Sequence, residues 1–451
     1  MSRRGRVIVT VALRHALAAL WQAGFGLRGR DAWRTAVARH VRLACEALGP
    51  TFIKLGQLAS VRPDLVAPSL VFELERLQER VPGASLEAIR RVVAHELGAP
   101  PERLFARFDA EPLATASIAQ VHVATLAAPY RSVSGQVLEA GERVAVKVVR
   151  PGVERLIAED LALARRWVAR AERFPALRRW RPAALLHEFE TSLASELDLR
   201  NEGRVAERFA HDFADDPLVV VPPVVWTHTT RRVLTTAFVD GWRLSALGDA
   251  ERAGIDARGL AAHGAEVFMR QVLVFGRYHA DLHPANLFVT RDGRIAYVDF
   301  GIVGRTTPAQ RRAIAQVLVA TVYGDAERAL RASRALGLEV PDAVEPALRT
   351  GVAALMRTHL RRTPADVRGF AVGFLSLLAR HRIAIPEGYG MLVKALVTVE
   401  GVARAIDPEI DLIEAAKPYT TRLVATQLLR PERLRERLPA ALRAALAELL
   451  A

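Results

Sequence analysis

"HADLHPANLFVTRDGRIAYVDFG", residues 279–301, is the stretch on which the reading of the fold turns. It opens with His279, Asp281 and Asn286 in an H-x-D-x-x-x-x-N spacing, and thirteen residues after the asparagine comes Asp299-Phe300-Gly301. Between them, two short apolar runs flank Asp292-Gly293, a pair suited to the tight turn of a β-hairpin. An aspartate at Asp299 can hold a divalent cation that bridges phosphate oxygens, because hard cations prefer oxygen ligands. Taken singly, Asp299-Phe300-Gly301 is equally an ordinary strand-end turn, and His279 a core histidine with satisfied hydrogen bonds. Order and spacing together favour a nucleotide–metal site.

The spacing is that of a protein-kinase catalytic loop, in which the aspartate (Asp281) accepts the proton of, or orients, the attacking hydroxyl and the asparagine (Asn286) binds metal alongside Asp299. Upstream, "RVAVKVV" (143–149) has strand alternation and places Lys147 where such folds hold the α- and β-phosphates. That lysine needs a carboxylate partner, and Glu202, on a predicted helix, is the expected one. Further upstream, "PLATASIAQV" (112–121) carries the rhythm of a G-x-G-x-x-G-x-V phosphate loop with every glycine replaced. Ala114, Ala116, Ala119 and Val121 take the motif positions, and Thr115 and Ser117 fall between them. An alanine in the left-handed region costs roughly 1–2 kcal/mol, so this loop is expected to follow a path of its own, with methyl groups toward the nucleotide. The candidate ligands are ATP or ADP with Mg²⁺.

Composition narrows the partners. At 451 residues, 51% hydrophobic and 25% charged, the chain can bury a sizeable core. The single cysteine, Cys45, excludes an intrachain disulfide framework and suits a reducing compartment. "MSRRGRVIVTVALRHALAALW" starts basic and apolar, but Arg14 and His15 interrupt it; neither a signal peptide nor a spanning helix is expected, and the location expected is cytoplasmic, or peripheral to a membrane. The net charge of +14 permits an anionic partner. Stretches such as "RRWVARAERFPALRRWRP" (165–182) read as solvated faces of arginine-rich helices; with no recognised nucleic-acid module, no nucleic acid is expected. Only four of the 63 basic residues are lysine, Lys54, Lys147, Lys394 and Lys417, which suggests that lysine is kept where a compact ammonium is needed.

Periodicity predicts helices over residues 1–100, strands in "SIAQVHVATL" and "RVAVKVV" with a long connection at 127–142, helices over 153–213, and strands in "LVVVPPVVWT" and "RRVLTTAFVDG" (218–241). Beyond 245 the pattern is helical apart from the hairpin around 286–301. This is the layout of an α+β, two-lobed protein-kinase-like fold with a mostly helical C-terminal half.

From about residue 40 to beyond 300 the sequence resembles the UbiB/AarF family of atypical, protein-kinase-like proteins. "LGPTFIKLGQLASVRPDLV" (48–66) is similar to the family's K-x-G-Q signature through Lys54, Gly56 and Gln57, and the alanine loop, "VAVK", the E-x-D pair Glu196 and Asp198, "HADLHPAN" and "DFG" follow in family order. The resemblance implies a helical N-terminal extension over residues 1–107 whose Lys54 and Gln57 meet Glu196 and Asp198. A kinase-like N-lobe over 108–241 and a C-lobe with C-terminal helices over 242–451 would follow. It implies ATP binding and hydrolysis, or phosphorylation of a small or lipid-like molecule, in support of ubiquinone or related isoprenoid-lipid biosynthesis. The implied partners are an anionic membrane surface or isoprenoid lipid, and lipid-biosynthetic enzymes. Thr115, Val205, Ala237 and Ala285 depart from the residues common in the family, without removing a metal or phosphate ligand. A catalytically silent nucleotide-binding scaffold and a soluble small-molecule phosphotransferase are the alternatives. The charged amphipathic "RPERLRERLPAALRAALAELLA" (430–451), with the N-terminal helix, is expected either to meet membranes or to pack on the domain.

Overall fold

The computed structural model describes residues 2–23, 29–60, 66–74, 76–77, 83–178, 181–244, 247–385 and 388–419. The C-terminal amphipathic stretch 430–451 lies outside the described residues. In chain order, α1 (Arg3–Gln22), α2 (Arg30–Leu48), α3 (Pro50–Ser60), α4 (Pro68–Leu74), α5 (Leu86–Leu97) and α6 (Pro101–Leu104) lead into strands β1 (Phe105–Phe108), β2 (Ala114–Thr115), β3 (Ala119–Leu126), β4 (Tyr130–Arg131), β5 (Val137–Leu138) and β6 (Arg143–Val149). Four helices follow, α7 (Val153–Ala171), α8 (Pro175–Arg178), α9 (Pro182–Glu196) and α10 (Leu199–Asp212), then β7 (Val219–Val220), β8 (Val233–Ala237), β9 (Gly241–Arg243) and α11 (Leu247–Arg252). The remainder is α12 (Ala257–Arg270), β10 (Arg277–His279), β11 (Leu287–Thr290), β12 (Ile295–Tyr297), β13 (Val303–Arg305), α13 (Pro308–Tyr323), α14 (Ala326–Ala335), α15 (Glu345–Leu355), α16 (Val367–Arg380) and α17 (Tyr389–Ile406).

The chain divides into two compact units. The first comprises Met1–Ile255 and His283–Val303, the second Asp256–Leu282 and Gly304–Ala451. In the first, an antiparallel sheet runs β1-β3-β6-β8, with β2 paired to β3. Alternation along β6 sends Val144, Val146 and Val148 into a core with Ile89, Val92 and Val93 of α5, and leaves Lys147 on the opposite face. The long connection before β6 holds a small hairpin, β4 with β5. A second sheet, β7-β12-β11-β9, contains the predicted hairpin, in which Gly293 takes φ +80° at the turn that joins β11 to β12.

The strand expected over 218–227 is mostly absent. Pro222 and Pro223 supply no N–H for a ladder, so pairing stops after Val220, resumes as a single bridge from Val224 to Thr236, and gives way to a 3₁₀ turn at Trp226–His228. The second unit is mainly helical, and its core gathers Ala320, Leu330, Leu348, Val352, Phe374 and Leu378 from α13 to α16. Among the described residues no helix is long and apolar enough to cross a membrane.

Candidate nucleotide–metal site

Lys147 is the centre of the site in the first unit. Its Nζ donates to both Glu202 oxygens, at 2.8 and 2.9 Å, and to Asp299 Oδ2 at 3.2 Å. Burial works against the ammonium, but the charges of Asp299 and Glu202 outweigh it and push the Lys147 pKa above the ordinary lysine value. Lysine is therefore fixed as a cation. Glu202 is buried in the first turn of α10, whose N-cap is Asp198. Asp299 Oδ1 accepts from Gly301 N at 2.8 Å, and the buried Phe300 ring packs on Phe209 of α10, with centroids 5.0 Å apart. One helix thus holds both the carboxylate that orients Lys147 and the aromatic that anchors Asp299.

Asn286 enters from the hairpin. His283 caps the short 3₁₀ turn Pro284–Asn286, and Val298 N donates to Asn286 O at 3.2 Å, in continuation of the β11–β12 ladder. The ladder therefore returns Asn286 and Asp299 to one end of the hairpin. One carboxylate and one amide oxygen form a hard-oxygen donor set, which fits Mg²⁺, an ion that takes the rest of its ligands from phosphate and water.

The alanine loop is a tight hairpin. Ala114 pairs with Val121 and Thr115 with Gln120, and Ala116 N donates to Ala119 O at 2.8 Å, so Ser117 and Ile118 form the tip. Among the described residues, only Arg181 and Arg382 combine a side chain with positive φ, so the loop avoids the left-handed region that its missing glycines would have allowed. Arg150 ties the tip down: its N donates to Ile118 O at 2.9 Å and its guanidinium to Ser117 O at 3.3 Å. Ser117 is fully buried, and its hydroxyl has no hydrogen-bond partner among the described residues. An orphaned hydroxyl at the tip of this hairpin fits a phosphate ligand that would satisfy it.

Lys54 of α3 reaches Glu196, the last residue of α9, with Nζ to Oε2 at 2.8 Å. Asp198, two residues on, is taken by Arg200 at 2.6 and 2.8 Å, and that hydrogen-bonded pairing holds its carboxyl below the usual range. Gln57 lies one turn after Lys54 on α3. Gly56, between them, lets α3 close on its neighbours: a Cβ there would stand 2.4 Å from Leu77 Cδ1 and 3.2 Å from Leu74 Cδ2. The α9–α10 corner therefore carries ion pairs from Glu196 to Lys54, from Asp198 to Arg200 and from Glu202 to Lys147. A clamp that sequence reasoning missed supports this corner: the buried Asp160 of α7 accepts from Arg4 (2.6 and 2.8 Å) and from Thr51 Oγ1 (2.6 Å), and so joins α1, α3 and α7.

Asp281 and His279 belong to the second unit. Gln271, in a π-helical turn that ends α12, accepts from His279 N at 2.9 Å, and Asp281 N donates to His279 Nδ1 at 3.2 Å. Lys394 of α17, in the same unit, places its Nζ 4.0 Å from Asp281 Oδ1. Sequence reasoning had only the scarcity of lysine as a signal for it.

A lysine held by a helix carboxylate, a hairpin that joins an asparagine to a DFG aspartate, and an H-x-D loop define a protein-kinase-like fold. The ABC1 atypical kinase-like domain family matches residues 76–333 and the UbiB helical domain family residues 372–411. The probable protein kinase UbiB of Marinobacter nauticus is 32% identical over 386 residues, covering 84% of this chain and 68% of that protein. The uncharacterized protein slr1919 of Synechocystis sp. is 32% identical over 425 residues, 91% of this chain and 73% of its own. A solved structure of an Rv3197–erythromycin complex from Mycobacterium tuberculosis aligns at a TM-score of 0.47 and 21% identity, covering 89% of this chain and 98% of that one. This chain belongs to the ABC1/UbiB family of atypical kinase-like proteins.

Proposed function

We propose that this protein binds Mg-ATP and turns it over, as an ATPase or as a kinase of a small or lipid-like molecule, in support of ubiquinone or other isoprenoid-lipid biosynthesis at a membrane surface. The observation that carries the reading is the Lys147–Glu202–Asp299 cluster, with bonds of 2.8, 2.9 and 3.2 Å. In this reading Lys147 donates to the α- and β-phosphates while Glu202 holds its position, and Ser117 with the backbone of the alanine hairpin lines the phosphates. Asp299 and Asn286 would hold Mg²⁺, which when bound neutralises charge on the phosphate oxygens. Asp281 orients the attacking hydroxyl or water and accepts its proton.

The lipid side of the proposal is supported by the family and by α1. Helix α1 contains no acidic residue, begins Arg3-Arg4-Gly5-Arg6, and leaves Val9, Leu13, Leu17 and Trp21 exposed at four-residue intervals. A helix with one face packed on the protein and a second, apolar face flanked by arginines suits an anionic lipid surface.

The test is Mg-ATP turnover by wild type and Asp299→Asn, with and without vesicles of anionic phospholipid. Wild-type turnover well above that of the variant, raised by the vesicles, is expected. A wild-type rate no higher than the variant's would instead make the protein a nucleotide-binding scaffold.

A further inference from the structure

The second half of α7 and the short α8 beyond it carry none of the first unit's buried core. Val153, Ile157 and Asp160, the buried residues of α7, all lie in its first half, and from Leu161 to Arg178 no described residue is buried. Arg165 ties this stretch to α9 through Glu190 at 2.7 Å. Past the end of α7 the chain keeps turning, with Arg173 N donating to Arg170 O at 3.1 Å and Phe174 N to Ala171 O at 3.0 Å, and leads directly into α8. Trp167 is 42% exposed, Phe174 61% and Leu177 44%. Single exposed apolar residues are ordinary on any surface, but three within eleven residues, two of them aromatic, mark a surface that meets something.

The charge around these residues says what that is. Residues 161–178 hold five arginines against a single acid, Glu172. Among the described residues only Arg165 of the five meets a carboxylate, whereas Arg166, Arg170 and Arg173 are exposed and have none. Trp167, Arg170 and Phe174 follow one another at intervals of three and four residues, so apolar and cationic groups interleave. An anionic bilayer offers the matching mixture, with phosphates at its surface for the guanidinia and acyl chains beneath for the rings and Leu177. Nucleic acid fits less well: residues 161–178 include no Ser, Thr, Asn or Gln to read a base edge, and an aliphatic Leu177 gives a base nothing to stack on.

We propose that the end of α7 together with α8 is a second lipid-contact surface of the first unit, on different helices from the outer face of α1, and that its partner is an anionic phospholipid bilayer. This rests on the lipid-surface reading above and deepens it. Trp167, Phe174 and Leu177 enter the boundary between headgroups and acyl chains, while Arg166, Arg170 and Arg173 donate to headgroup phosphates. Asp160 of α7 holds Arg4 of α1 at 2.6 and 2.8 Å, so the helices that carry the two surfaces are tied together.

The test measures partition of the full chain onto vesicles of pure phosphatidylcholine and of equal parts phosphatidylcholine and phosphatidylglycerol. It compares wild type with Trp167→Ser/Phe174→Ser/Leu177→Ser, with Arg166→Gln/Arg170→Gln/Arg173→Gln, and with the α1 variant Leu13→Gln/Leu17→Gln/Trp21→Gln. The arginine variant should lose on the order of a hundredfold on the anionic vesicles, about fivefold per residue, with a shallower salt dependence. The apolar variant should lose at least about tenfold there, and both should keep the wild-type melting temperature because the replaced side chains are exposed. Brominated acyl chains should quench wild-type tryptophan fluorescence more than that of Trp167→Phe. Wild-type partition in both α7–α8 variants, with the α1 variant impaired, would overturn this surface and leave the lipid reading intact. A fall in melting temperature that accompanies the loss in both variants would reduce these residues to structural ones and overturn it as well. Binding of a DNA oligonucleotide that both variants lose, without quenching at Trp167, would replace the bilayer with nucleic acid. Wild type that stays off both kinds of vesicle would overturn the lipid reading itself, and this surface with it.

Discussion

Replacing Lys147 with methionine removes the cation that two carboxylates share and leaves Glu202 and Asp299 facing each other. Glu202 is 8% exposed and cannot recover its hydration, whereas Asp299, at 40%, is partly solvated. Removing one partner of a buried pair costs about 3–5 kcal/mol; the lower end, about 3 kcal/mol, is expected here because Asp299 keeps some water and Glu202 can take up a proton. At roughly 2–4 °C per kcal/mol, the melting temperature should fall by about 6–12 °C. Burial pushes the Glu202 pKa up, so the loss should shrink as pH is lowered from about 8 toward 5, where the carboxyl neutralises more readily. The double variant Lys147→Met/Glu202→Gln no longer buries an unpaired charge and should regain roughly half the loss, a coupling of about 1.5 kcal/mol. The assay is thermal unfolding of the four members of this cycle, without nucleotide, at several pH values. A Lys147→Met variant that melts within a degree of wild type, or strictly additive losses in the double variant, would refute the pairing.

Three further outcomes follow from the first unit. Asp160→Asn should cost about 2–4 kcal/mol and raise hydrogen exchange in α1 and α3, because the carboxylate that receives Arg4 and Thr51 is lost; unchanged exchange there would contradict the clamp. The buried imidazole of His122 is hydrogen-bonded to Asp109 O and Gln120 Nε2, and burial lowers its pKa from 6.5. The neutral form is thus favoured in the folded chain, its share of stability is fully present above about pH 6.5, and it is lost as pH falls below that value. Melting temperature between pH 7.5 and 5.5 should fall less steeply in His122→Asn than in wild type, and equal slopes would count against the network. Ala116→Gly should change ATP or ADP affinity by more than about threefold while costing only about 0.5–1 kcal/mol of stability; unchanged calorimetric affinities would remove the hairpin from the site.

Much of this architecture could be read from the chain itself, because the informative signals were local. Val144, Val146 and Val148 alternate with Lys147, so both the strand and the face of the lysine followed from period two. Asp292-Gly293 fixed the hairpin, and the positive φ of Gly293 is the physical reason. The failures were also local in origin: the apolar run at 218–227 looked like one strand, and two adjacent prolines deny it a ladder. What could not be read were pairings across long separations. Nothing in the sequence around Asp160 marks it as the partner of Arg4, 156 residues away. Lys394 announced itself only through rarity, because its meaning depends on the fold of α17 against the strand that precedes Asp281. The path of the alanine hairpin depended on a backbone choice that composition constrains but does not determine.

The most direct test of the central claim, a nucleotide–metal site built on Lys147, Glu202 and Asp299, is calorimetric ATP binding with Mg²⁺ and with EDTA. Wild type should bind ATP at least about tenfold more tightly with Mg²⁺, and Asp299→Asn should lose that increment while keeping its affinity in EDTA. ATP affinity that is indifferent to Mg²⁺, or a magnesium increment that survives Asp299→Asn, would contradict the account.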